Sequence, residues 1–450
     1  MDLAADQTPV LVAQRATDLI SVSKIIGPHY LFTCEGGRDG ELVAERYDAR
    51  LSTLESELGA RPPWTNEHLG LVVDRFKDRL PADSDLLGIP YASTEPLEEL
   101  ARGRAGSTVA APRCALKRRL DDKQATRELF GSLHLPVIPV RSVSPGHTFG
   151  QIASEIGVPF VLQRTIGSSG HSSYSVTTED EWDRAISTDE KGPWIASQFL
   201  SGVILNVHCF LGASGSELFP PSLQFAGIEC LTDEPFAYSG NDFGEVEEID
   251  KDVLVSANHI VKAVAEKIRS WGYRGVLGVD LILNERGVWP LEVNPRMQGS
   301  TWILAAAQER AGQIPLCWRQ VLDFTQGPST DFAPGELLAT AGHLIFRWMG
   351  PSSGVRPSLR PGIYSFTQGR LAFKRTGVDL GECGSGELLI VGIPDRCEIE
   401  HGASALRVAG WRRFGSNGNR LSPDLKDLVS ALRREIESWA IPPRPTMGIL

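Results

Sequence analysis

The hydrophobic pattern of the chain changes character along its length. Up to about residue 110, short apolar runs alternate with helical patterns, at Val10–Ala13, Tyr30–Thr33, Leu69–Leu80 and Leu86–Ile89. That alternation predicts an α/β layer with a parallel sheet. The Gly-, Arg-, Ser- and Thr-rich stretch Arg102–Pro112 reads as a linker. Four β-type runs follow, at Val158–Arg164, Tyr174–Thr177, Trp194–Leu200 and Val203–Leu211. Between the second and third, Thr178-Glu179-Asp180-Glu181 reads as a capping box opening a helix. From about Leu337 to Arg413, glycine and short β runs such as Gly386–Val391 predict a mostly β region. Ser422-Pro423 then opens a final helix, in which Leu425, Leu428, Val429, Leu432, Ile436 and Trp439 form one apolar stripe for docking.

Composition narrows the class. At 450 residues, 42% hydrophobic and 22% charged, the chain has ample core, which excludes a disordered regulator, a collagen-like rod and a small disulfide scaffold. The net charge of −11 offers no basic face for a phosphate backbone, so nucleic acid is not an expected partner. No apolar run reaches the roughly 20 residues of a bilayer span, so no membrane is expected either. The acidic start Met1–Asp6 has no signal-peptide pattern, and the seven cysteines are scattered with no Cys-x-x-Cys. Reduced, mostly buried thiols in a cytoplasmic enzyme are the expectation. The oligomeric state is not written in the sequence, and a homo-oligomer is compatible with it.

Several common signatures are missing. There is no Gly-Lys dipeptide and hence no P-loop, no dinucleotide fingerprint, no Gly-x-Ser-x-Gly and no His-x-x-x-His. Gly36-Gly37-Arg38-Asp39-Gly40 reads as a turn.

The chemistry concentrates in Gly275–Arg296, two β runs joined by a short polar segment ending in glycine. Pairing Asn284 with Val288 leaves the three-residue loop Glu285-Arg286-Gly287, with glycine at the left-handed position. That register sets Asp280 opposite Glu292, with Asn294 on the same face. Like charges directly opposite destabilise a hairpin, and a divalent cation removes the conflict. Two carboxylates and an amide suit Mg²⁺, with Mn²⁺ an acceptable substitute. Arg296, two residues beyond Asn294, projects near the same ion and can hold an anionic oxygen as charge develops. Upstream, Gly167-Ser168-Ser169-Gly170 links two β runs, and small residues there let backbone N–H groups approach phosphate oxygens.

In this order the parts resemble the ATP-grasp superfamily. The resemblance implies that Lys123 is the first nucleotide lysine and that Gly167, Ser168, Ser169 and Gly170 form the phosphate loop. It makes Ser197, Gln198, Phe199 and Leu200 the adenine hinge. Asp280, Glu292 and Asn294 correspond to its metal ligands, and Arg296 to its catalytic arginine. The implied fold class is α/β: an α/β pre-domain at 1–112, an α+β ATP-grasp core of two subdomains at 113–335, and a β-rich C-terminal domain with a terminal helix at 336–450. One position departs from the pattern. The second nucleotide lysine is replaced by Gln163, which carries no charge, and strand alternation turns the neighbouring Arg164 to the opposite face. Another cation takes over, or the amide itself donates. The glutamine and the long C-terminal region are similar to ATP-grasp ligases of peptide natural-product pathways, including the pheganomycin-type peptide ligase.

The resemblance implies ATP-dependent, ADP-forming ligation of a small-molecule carboxylate to the amine of an amino acid or peptide through an acyl phosphate. Its cofactors would be ATP and Mg²⁺, and its setting antibiotic biosynthesis. Two rivals remain: another ATP-grasp chemistry such as carboxylation, and a nucleotide-binding protein that has lost catalysis. No biotinyl-lysine context supports the first, and the intact acid pair with Arg296 counts against the second.

Overall fold

A computed structural model describes residues 7–167, 172–188, 193–327, 340–416 and 418–441. The N-terminal apolar runs form a five-stranded parallel sheet, in the order Ala49–Thr53, His29–Thr33, Gln7–Ala13, Asp85–Pro90, Thr108–Val109. Val10 pairs with Tyr30 on one side and Gly88 on the other, so the middle strand is buried on both edges. Helix His68–Phe76 packs Leu69, Val72, Val73 and Phe76 into the same core, one stripe at helical spacing. The expected linker at Arg102–Pro112 instead supplies the edge strand Thr108–Val109, which pairs with Leu87 and Gly88. Ser107 Oγ accepts the Leu86 N–H at 2.7 Å and Asp85 Oδ1 the Gly106 N–H at 3.0 Å, fastening the segment to the sheet. The expected turn at Gly36–Gly40 is instead the start of helix Gly37–Arg46. Gly37 has φ 76° and a side chain there would strike the Ile393 carbonyl, so its glycine serves a close approach.

A four-stranded antiparallel sheet follows, ordered Val140–Val143, Trp194–Gln198, Phe160–Arg164, Ser173–Val176. Its core joins Phe160, Leu162, Val176 and Trp194 to Ile152, Ile156 and Trp182 of two helices. The second of these helices starts as its capping box predicts, with the Glu181 carboxylate accepting the Thr178 N–H at 3.1 Å.

The largest element is an eleven-stranded antiparallel sheet running from Gly287–Asn294 through Gly275–Asn284, Val203–Leu211, Ser222–Ala226, Tyr238–Asp242, Gly342–Arg347, Ser404–Gly410, Glu387–Val391 and Gly362–Thr367 to Arg370–Arg375, with Ser216–Leu218 branching off. The long helix Lys251–Ser270 buries Ile260, Val261, Val264 and Ile268 against Leu205, Val207, Leu277, Val279 and Leu281. The expected boundary at 335/336 lies outside the described residues. On either side of it the chain shares this one sheet, since Gly240 pairs with Leu344. The closing helix Lys426–Glu437 and its flanks bury all six residues of the predicted stripe. A parallel bridge of Ala60–Arg61 to Glu398–Ile399 ties the first sheet's region to the C-terminal strands. Among the described residues, no helix is long and apolar enough to cross a membrane.

Candidate active site

The acid-bearing hairpin consists of Gly275–Asn284 and Gly287–Asn294. Asp280 lies directly opposite Glu292, and Gly278 opposite Asn294, which sets both acids on the face the pattern requires. The route to that register differs from the expected one. Asn284 pairs with Gly287, so the loop is the two residues Glu285-Arg286 rather than three. The Asn284 side chain accepts the Arg286 N–H at 2.9 Å and closes the turn one residue early. Gly287 still holds the left-handed position, at φ 127°. A β-bulge beyond Leu281 then restores the register: Pro290 faces Leu281, Glu292 faces Asp280, and Leu291 is the extra residue. Without the bulge, Glu292 would fall opposite Val279 and leave the face of Asp280.

Asp280 is 4% exposed. Its Oδ1 accepts from Asn206 Nδ2 at 2.5 Å and its Oδ2 from Asn294 Nδ2 at 3.0 Å. Asn206 reaches Asp280 from the neighbouring strand and also donates to Gln298 Oε1. Burial, and after it the charge of Glu292, holds the Asp280 carboxyl well above the usual carboxylate range. A cation between the two acids would relieve both causes. Among the described residues no cluster holds three or more His, Cys, Asp or Glu. Asp280, Glu292 and Asn294 therefore offer an all-oxygen, incomplete shell, which water and phosphate oxygens would fill. That donor set fits Mg²⁺. Arg296 stands beside it, with Nη2 donating to Asn294 Oδ1 at 2.9 Å and Nη1 to the Met297 carbonyl at 3.0 Å.

The opposite wall carries the nucleotide candidates. Lys123 is the first residue of helix Lys123–Ser132, whose end is capped by Asp122. Its ammonium donates to the Gly167 carbonyl at 3.2 Å and lies 4.0 Å from Glu292 Oε2, linking the loop to the acid pair. Gln163 pairs with Ser173 and Ile195 and faces the cavity. Arg164 lies over the Trp194 ring, 5.4 Å from its centroid, so it does not replace the missing lysine. Ser168, Ser169 and Gly170 lie outside the described residues. Ser197–Leu200 line the same cavity, with the Gln198 N–H donating to Pro139 at 2.9 Å.

One cavity of ≈ 280 Å³ gathers Lys123, Gln163, Gly167, Ser197–Leu200, Asp280, Glu292, Asn294 and Arg296. It also gathers residues the pattern did not single out. Arg127 follows Lys123 by four positions on one helix, a spacing that sets both cations on one face. Its Nη1 donates to the Pro290 carbonyl at 2.8 Å, and burial brings its pKa down to about 10. Asn206 is a polar residue inside the apolar run Leu205–Leu211, a signal legible in sequence. Arg15, Glu35, Trp64 and Tyr91 come from the first sheet's region, and Arg347 and Arg407 from the C-terminal strands. Six of the seven cysteines are buried and only Cys230 is exposed.

Residues 122–300 match the ATP-grasp domain family. That segment carries an ATP-grasp domain, and the mixed α/β architecture of the chain is the one its structural neighbours share. Over 55% of its length it is 25% identical to the butirosin acyl-carrier protein–L-glutamate ligase of Niallia circulans, covering 60% of that protein. Over 48% of its length it is 25% identical to a formate-dependent phosphoribosylglycinamide formyltransferase of Xanthomonas oryzae pv. oryzae, covering 52%. The match thus spans little more than half the length of these curated relatives. In fold it is similar to an L-amino acid ligase from Bacillus licheniformis, with a TM-score of 0.59, 12% identity, and 97% and 98% of the two chains covered. A biotin carboxylase from Campylobacter jejuni, solved as a β-gamma-ATP complex, gives a TM-score of 0.60 at 13% identity, covering 92% and 89%. At those identities the likeness is one of fold.

Proposed function

We propose that the protein is an ATP-dependent ligase joining a carboxylate substrate to an amine, with release of ADP and phosphate. The observation that carries this reading is the convergence of Asp280, Glu292, Asn294 and Arg296 with Lys123 and Gln163 on one cavity. Held by the two acids and the amide, Mg²⁺ would supply charge neutralisation and alignment of the phosphate oxygens. Lys123 and the Gln163 amide would hold the phosphates, and the hinge Ser197–Leu200 would present its backbone edge to the adenine. Apolar Ile138, Val161, Ile282 and Leu291 line the cavity and suit a planar base. A substrate carboxylate oxygen attacks the γ-phosphorus, the bond to the bridging oxygen breaks, and ADP departs. The guanidinium of Arg296 stabilises the negative charge on the acyl phosphate. An amine then attacks the acyl carbon, phosphate leaves, and the amine's proton passes to solvent or phosphate. No protein nucleophile is required.

The matched relatives support this choice, since one is named for attaching L-glutamate to a carrier protein and another for ligating L-amino acids. On that basis the acceptor is an amino acid or peptide, and the setting is peptide natural-product (antibiotic) biosynthesis. The test is ADP release from ATP and Mg²⁺ with a panel of amino acids and peptides, with hydroxylamine present to trap acyl phosphate as hydroxamate. Acid-dependent ADP and hydroxamate are expected. Release stimulated by bicarbonate alone would assign carboxylation instead. ATP binding without release under any condition would identify a non-catalytic binder.

A further inference from the structure

Asp280 has a facing residue on each side of its strand. Glu292 faces it from Gly287–Asn294 and Asn206 from Val203–Leu211, so an amide and two acids form one row across three strands. Asn206 is 2% exposed and sits between Leu205 and Val207, both enclosed in the apolar core. A buried amide is costly unless its hydrogen bonds are made. Asn206 makes them one-sidedly. Its Nδ2 donates to Asp280 Oδ1 at 2.5 Å and to Gln298 Oε1, while its Oδ1 has no partner among the described residues. Both of its protons are thus committed, one to a metal-ligand candidate and one to the segment that carries Arg296.

The surrounding residues are arranged to receive this contact. Gly278 lies on the face of Asp280, and a Cβ there would collide with the Gln298 amide, so the glycine leaves the space that this amide fills. His208, two residues beyond Asn206 on the same face, has Nε2 3.1 Å from Thr301 Oγ1. That hydroxyl oxygen in turn accepts the Gln298 N–H at 2.7 Å. One strand therefore fastens the segment from Arg296 to Thr301 twice, and at Asn206 the fastening also reaches the acid pair.

We propose that Asn206 is a positioning residue that couples the two halves of the site. It fixes the Asp280 carboxylate for the divalent ion and, through Gln298, fixes the segment bearing Arg296. Groups that hydrogen-bond a ligating carboxylate in this way orient it toward the metal. Without Asn206 the carboxylate is free to turn and the segment after Asn294 loses a tether, so metal affinity and turnover fall together. The proposal rests on the metal reading given under the proposed function, and is independent of which amine is ligated.

The experiment uses the full chain with ADP and titrates Mn²⁺, read by the paramagnetism of the bound ion, and Mg²⁺, read by thermal shift. ADP binding is measured separately without divalent ions. Asn206→Leu, close to asparagine in size but without a donor, is expected to weaken both ions about 10–100-fold while metal-free ADP binding stays at the wild-type level. A merely structural role would lower the two together. Gln298→Met should weaken the ions when made alone and add nothing to Asn206→Leu, because its effect passes through Asn206. With the acid that best stimulates ADP release, kcat should fall further than the ATP KM rises in both variants. Asn206→Ser, polar and shorter, carries the test if the leucine variant does not fold. Unchanged metal affinity in a folded Asn206 variant overturns the proposal, as does full additivity of the two substitutions. Wild type that binds neither ion overturns the metal reading and the proposal with it, a failure visible before any variant is compared.

Discussion

Lys123 gives the sharpest test of how the cavity holds a nucleotide. Among the described residues its ammonium has two polar neighbours, the Gly167 carbonyl at 3.2 Å and Glu292 at 4.0 Å. The helix it begins is capped by Asp122, which accepts the Gln124 and Ala125 N–H groups at 2.8 and 3.1 Å. Lys123→Ala therefore removes a cation and leaves the helix start intact. In the protein without nucleotide the loss is small, because a 4.0 Å pair with a Glu292 side chain 38% exposed contributes about 1 kcal/mol or less. With ATP bound, the same ammonium would make a charge-assisted bond worth roughly 1.5–3 kcal/mol, against about 0.5–1.5 for the neutral Gln163 amide. These convert to increases in ATP KM of about 10–150-fold for Lys123→Ala and about 2–12-fold for Gln163→Ala. Gln163→Lys should remain active, since it places a cation where the strand faces the cavity. The assay is ADP release over a range of ATP, paired with calorimetric ATP binding and thermal melts without ligand. A milder effect from Lys123→Ala than from Gln163→Ala would refute the division of labour. So would a Lys123→Ala deficit explained wholly by a lower melting point. Equal, near-complete loss in Gln163→Ala and Gln163→Lys would instead give Gln163 a geometric role that charge does not capture.

Three further outcomes are expected. Glu292→Gln should lower turnover about 100–1000-fold, on the scale of losing one preorganised electrostatic group, and abolish the Mg²⁺-dependent shift in melting point; near-normal ADP release would remove the metal assignment. Gly287→Val should cost about 1–3 kcal/mol in thermal or denaturant unfolding, because φ 127° is strongly unfavourable for a β-branched residue; an unchanged midpoint would contradict the turn geometry. Burial lifts the Asp39 carboxyl to about 7, against the lowering charges of Arg61 and Arg407. The folded state thus binds that proton more tightly than the unfolded chain, so stability falls as pH rises from about 4 to about 7 and then levels. Asp39→Asn should flatten this segment of the melting-point profile, by up to about 4 kcal/mol over the interval, and an unaltered slope would show that other groups govern it.

The elements legible in the sequence are those whose pattern answers to one local demand. The strands at Gln7–Ala13, His29–Thr33 and Asp85–Pro90 follow from apolar runs buried on both faces, and the C-terminal stripe follows from a helix with one face to cover. Errors arose where a second, non-local demand competed. Arg102–Pro112 has linker composition, but hydroxyl and amide contacts to the strand at Asp85–Pro90 recruit it as an edge. The Gly36–Gly40 glycines suit a turn, yet the close approach of the Ile393 carbonyl needs one of them at the start of a helix. In the hairpin, two departures cancel. The loop is one residue shorter than expected and Leu291 is one residue extra, so Asp280 and Glu292 meet as pattern alone requires. Alternation reported the outcome correctly because two acids and an amide must share a face, whichever device brings them there.

The other half of the cavity left almost no trace in the sequence, for a reason that lies in its charges. Asp18 and Arg407 are separated by 389 residues, and Arg61 reaches the Ser404 carbonyl across 343. Neither partner stands out locally, since an isolated arginine in an acidic chain reads as surface. The ends of the first sheet's strands supply Arg15 and Glu35, and the C-terminal strands supply Arg347 and Arg407, so only the three-dimensional topology brings them together. Once assembled, most of these charges cancel in pairs, as burial demands. Arg61 shows this most fully, enclosed with Glu55 at 2.7 Å and Glu35 at 3.4 Å.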